Sequence, residues 1–111
     1  MDKKTLSIVS YITIIGWLIA YFSYKGKLDK SSLERFHLKQ SFGIGILGIL
    51  NFVAEAIVTS LISHSLAIIF TITGILIFVF WILGIINAAK EEEKPLPIIG
   101  SLFVDKFSFI D

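Results

Sequence analysis

Residues 48–63 read GILNFVAEAIVTSLIS, a long apolar run with one carboxylate, Glu55, in its middle. The run belongs to a larger block: from Gln40 to Ala89, Glu55 is the only charged residue. A helix needs about 20 apolar residues to cross the hydrocarbon of a bilayer. These fifty residues as one helix would reach about 75 Å at ~1.5 Å per residue. The block must therefore fold back once. The turn falls at Ser63, His64 and Ser65, which predicts spans over about residues 38–62 and 66–89.

Upstream, Leu6 to Tyr24 carries no charge and has the length of a further span, over about residues 6–24. Lys3 and Lys4 precede it, as in a signal peptide. The apolar stretch is long for that role, and Ala20-Tyr21-Phe22-Ser23-Tyr24 offers no small-x-small cleavage site, so a retained span is expected. Composition agrees with a membrane chain. Only 17% of residues are charged, against about 25% in soluble domains, and the mean hydropathy is +0.84. The expected fold is all-α: an integral membrane protein with three transmembrane helices, forming a single membrane domain over residues 1–111.

Between the first two spans, Ser31 followed by Glu34 fits a capping box, so the second helix starts before it enters the bilayer. After the last span, Pro95 and Pro97 forbid a continuous helix. In the tail, about residues 95–111, Phe103, Phe107 and Ile110 recur at helical spacing. That pattern predicts a short amphipathic helix lying in the interface.

Lys and Arg in short loops set the orientation. The first loop holds Lys25, Lys27, Lys30, Arg35 and Lys39, the tail holds Lys90, Lys94 and Lys106, and the turn at His64 holds none. The first loop and the C-terminus are therefore expected in the cytoplasm. Three spans then place Lys3 and Lys4 outside, against the same rule. A first segment that dips into the membrane and returns removes the conflict.

Asn51, Glu55 and Thr59 are spaced by four and share one face of the second span. Gly48 lies on that face, Gly45 flanks it and Ser41 extends it, while Ile46, Ile49, Leu50, Val53 and Ile57 lie opposite. Small residues let helices approach and polar ones bond across the contact, so the stripe should face protein. Glu55 is then either protonated or hydrogen-bonded inside a bundle, or it lines a path. Where the second helix enters the membrane, Phe36, His37 and Gln40 are a polar-aromatic group that either docks onto something or simply snorkels.

Several function classes are excluded or left without support. The chain has no cysteine, which removes disulfides, thiolate metal sites and cysteine nucleophiles. No dense basic cluster suggests nucleic acid. His64 has no second metal ligand near it, and there is no nucleophile–base set, HExxH or P-loop. No enzyme activity, cofactor or metal is expected.

Three stretches carry a resemblance: LSIVSYITIIGWLIAYF, FHLKQSFGIGILG and FVFWILGIINAAKEEEKPLPIIG. Their order and spacing resemble the small bacterial membrane proteins grouped with the Tic-type chloroplast import component, a family with a domain of unknown function. The resemblance matches Phe36, His37 and Gln40 to a membrane-entry motif, and Trp81, Ala89, Lys94, Pro95, Pro97 and Gly100 to an exit motif. It implies a multi-pass protein of the bacterial inner membrane, associated with protein translocation. Two functions follow as expectations. One is a non-enzymatic accessory or assembly subunit, in contact with the lipid bilayer and with other membrane subunits or its own copies. The alternative is a small oligomeric channel or proton-linked transporter using Glu55.

Overall fold

A computed structural model describes all 111 residues; its only regular elements are helices, with no strand. Two helices are long and apolar enough to cross a membrane. α3 runs from Ser32 to Leu61 and α4 from Ala67 to Ala89, joined by a 3-10 turn at His64–Leu66. They pack side by side as a hairpin. α3 begins at the Ser31 capping box: the Ser31 hydroxyl accepts from the Glu34 amide, and the Glu34 carboxylate accepts from the Ser31 amide.

The first apolar segment is not one continuous helix. It breaks into α1, Lys3–Val9, and α2, Thr13–Lys25. At about 1.5 Å per residue neither piece covers 30 Å of hydrocarbon. Ile12 is extended and Thr13 has φ of 55°, which reverses the chain. A β-branched residue in the left-handed region is strained and needs surrounding structure to hold it. Gly16 sits against the Val9 carbonyl, so the two arms touch where a Cβ would collide. The arms fold back as a hairpin, with α1 against α3 and α4 and α2 against α3.

This arrangement puts Lys3 and Lys4 beside the first loop and the tail, and the orientation conflict disappears. All ten Lys and Arg residues now lie at one end, called the base here, and the far tip carries none. The α1–α2 hairpin turns within the base half. Trp81, whose indole meets its tip, is eight residues from the end of α4, or about 12 Å along the helix axis.

The tail differs from the expected interfacial helix. It forms only a four-residue helix, α5 at Gly100–Phe103, and a 3-10 turn at Ser108–Ile110. Phe103, Phe107 and Ile110 turn toward the protein, while Ile98, Leu102, Val104 and Phe109 are exposed. Phe103 lies over Gly43, Phe107 stacks edge-on against Phe42, and Ile110 is fully buried beside Leu6, Ala20, Tyr24 and Leu38. The tail is thus a strap around the base. Every buried residue belongs to this half; none lies between Gly45 and Leu83.

Candidate functional site: a polar knot in the base and an open flank on α3

The knot is built around His37 and Gln40, one turn apart on α3 and both fully buried. His37 Nε2 lies 2.8 Å from the carbonyl of Glu92. A carbonyl cannot donate, so this nitrogen carries the hydrogen. In the neutral ring Nδ1 is then the acceptor, and the Tyr11 hydroxyl donates to it at 2.8 Å. Gln40 donates from Nε2 to the Gly100 carbonyl at 2.7 Å and accepts the Leu96 amide at 3.2 Å. A Cβ on Gly100 would lie 2.6 Å from Gln40 Oε1, so only glycine lets this loop close on the amide.

Two indoles complete the knot. Trp81 donates to the Tyr11 carbonyl, and Trp17 donates to the Leu38 carbonyl at 3.0 Å. The Tyr11 ring fills the notch at Gly84, where any Cβ would overlap it. Tyr11 therefore anchors the strained tip of the first hairpin by its ring, hydroxyl and carbonyl.

The tail is clasped by charge. Lys39, nearly buried, donates to the Asp111 carboxylate at 2.7 Å, and Arg35 lies 3.7 Å from the same oxygen. The Lys39 hydrogen bond holds the Asp111 carboxyl below its usual range. Its contribution is present above the ordinary carboxylate range and is lost only as pH falls through the depressed value. At the α3 start, Lys27 pairs with the buried Glu34.

The structure brings the two sequence groups together. His37 and Gln40 bind the segment that carries Lys94, Pro95, Pro97 and Gly100, with the Lys94 carbonyl 3.4 Å from Asn87. Phe36 packs edge-on against His37. Pro95 and Pro97 are exposed and flank the buried Leu96. Sequence reasoning missed Tyr11, Trp17 and Gly84. The signal available for Tyr11 was Ser7, Ser10 and Thr13 at spacings of three, an unusual polar edge for a lipid-facing span. Every buried polar side-chain atom has a partner, so the knot is a fully satisfied fastening.

The stripe on α3 divides. Asn51 faces α4, donating to the Phe70 carbonyl at 3.3 Å and accepting from Thr73. Thr59 donates back to the Glu55 carbonyl at 2.7 Å. The Glu55 carboxylate itself has no hydrogen-bond or ion-pair partner, is half-buried and lines neither cavity. Beside it runs an apolar groove of about 650 Å³ between the first hairpin and α3, walled by Ile14, Trp17, Phe42, Ile49 and Phe52. Gly45 and Gly48 form its floor, and a Cβ on either would touch nothing.

Comparison with known proteins adds one match: the model of the magnetosome magnetite crystal formation protein family covers residues 2–103. This overturns the Tic-type resemblance, whose motif residues fall within the matched segment, and leaves the link to protein translocation without support. No curated protein and no solved structure matches the chain.

Proposed function

The chain belongs to the magnetosome magnetite crystal formation protein family, and from that premise we propose that it is a non-enzymatic accessory protein of a bacterial magnetosome membrane, acting on crystal formation by holding another membrane protein in place. The family match carries the reading. The site supports an indirect role. The far tip offers only Ser63, His64 and Ser65, with Glu55 the one carboxylate between Gln40 and Ala89, which is a poor surface for binding iron or mineral directly. The buried polar groups of the base are paired internally.

What the chain leaves open is the α3 flank. Gly45 and Gly48 have no neighbour within the chain to explain them, although glycine costs about 1 kcal/mol against alanine inside a helix. Glu55 lies on the same side without a partner. A transmembrane helix with a hydrogen-bond donor at that depth fits both. Two spans do not enclose a route by themselves, so a channel would require several copies of the chain.

The base is assigned to the cytoplasm because it holds every Lys and Arg. The chain has no native cysteine, so single cysteines report the topology cleanly. Lys4→Cys and Lys106→Cys should react with an impermeant thiol reagent from one side, and Ser65→Cys from the other. Labelling of Lys4→Cys together with Ser65→Cys would restore a third span. The functional test is complementation in a magnetosome-forming bacterium lacking its own family member. The chain should restore the crystal size distribution seen by electron microscopy, Glu55→Gln should retain that effect, and Glu55→Leu should lose it. Unchanged crystals with the wild-type chain present in the membrane would refute the reading.

A further inference from the structure

The two halves of the molecule have different widths at different depths. In the base half, α1, α2, α3 and α4 lie side by side, and the tail wraps them. In the far half only α3 and α4 remain, with Phe52, Ile57, Leu61, Ile68, Ile72 and Leu76 all exposed. A helix with its side chains is about 10–12 Å across, so four occupy about 400 Å² and two about 200 Å². The step between these widths falls at the tip of the first hairpin, about 12 Å in from the base end of α4. Half of a 30 Å hydrocarbon core is about 15 Å. The extra area therefore lies almost entirely in one leaflet.

The step is rigid. Tyr11 fixes the tip to His37 and Trp81, Trp17 fixes α2 to α3, and Ile110 closes the base from the tail side. A loosely inserted hairpin could slide or tilt to even out the two leaflets, but this one is tied at three points.

We infer that the chain is a built-in wedge that favours membrane convex on the base side, so that its second ligand is a curved lipid surface. The physical reason is area. A protein that displaces more lipid in one leaflet than in the other strains a flat bilayer, and bending toward the wide side relieves that strain. Shallow insertions are curvature-sensitive for the same reason. The wedge is independent of the crystal-formation reading, since it rests on the shape of the chain alone.

The test uses the whole folded protein in both orientations at once. The chain is reconstituted into giant vesicles, and a thin tube is pulled from each. Lys106→Cys, labelled from outside with an impermeant dye, marks molecules with the base outward. Ser65→Cys, labelled in the same way, marks molecules with the tip outward. Fluorescence per lipid in the tube divided by that in the parent vesicle should exceed one for the base-outward population and fall below one for the tip-outward population. Ratios of one for both populations would overturn the inference. So would enrichment of both, because a preference that ignores orientation does not come from the wedge. Neither labelled position lies in the knot, so the fold is the same in both measurements.

Discussion

His37→Ala should destabilise the chain by about 3 kcal/mol. The change strands the Tyr11 hydroxyl and the Glu92 carbonyl, both bonded to the ring at 2.8 Å. Each buried group left without a partner costs about 1–3 kcal/mol, and the lost ring volume adds a cavity. Tyr11→Phe should cost less, because it removes one partner and strands only Nδ1. The double variant should lose less than the sum of the two singles, since each change removes the group that the other would leave unpaired. The measurement is unfolding in mixed micelles followed by tryptophan fluorescence. Both tryptophans, Trp17 and Trp81, bond into this knot, so their emission reports its opening directly. Strict additivity of the two losses would show that Tyr11 and His37 do not act on each other.

Gly84→Ala is the second large effect. One methyl group there overlaps the Tyr11 ring. A flexible side chain would move aside at little cost, but this ring is held by its hydroxyl, and its backbone by the Trp81 indole. Overpacking of a fixed site costs about 1–3 kcal/mol. The hairpin tip should lift, exposing Thr13 and its strained backbone to relaxation. Gly45→Ala is the control. Its added methyl meets nothing, so it should leave stability unchanged or raise it by up to about 1 kcal/mol through helix propensity. Equal losses at both positions would mean that Tyr11 does not seat against Gly84.

The two long helices are legible in the sequence because one charge in fifty residues leaves few other solutions, and the capping box marks where the first of them begins. The break after Val9 is harder to see. It falls at Ser10-Tyr11-Ile12, with neither glycine nor proline, and is made by contacts to residues far downstream. Its traces were indirect: the cost of placing Lys3 and Lys4 on the wrong side, and the polar edge of Ser7, Ser10 and Thr13. The tail misled for a related reason. Phe103, Phe107 and Ile110 have the spacing of an amphipathic helix, but the surface they seek is α3 and the core of the base rather than lipid. His37 and Gln40 stood out as residue types, yet the loop they bind lies more than 50 positions away, and local pattern carries no information at that range.

The closure of the base has a consequence for how the chain is made. Leu6 is synthesised 104 residues before Ile110, yet they share one core. Until the ribosome has added Leu96 and Gly100, the Gln40 amide has neither of its partners, and until Ile110 emerges Leu6 stays uncovered. The first hairpin therefore waits, uncovered, for the strap to arrive. A chain stalled or clipped before Leu96 should look unfinished to a membrane protease, while one that reaches Ile110 covers Leu6.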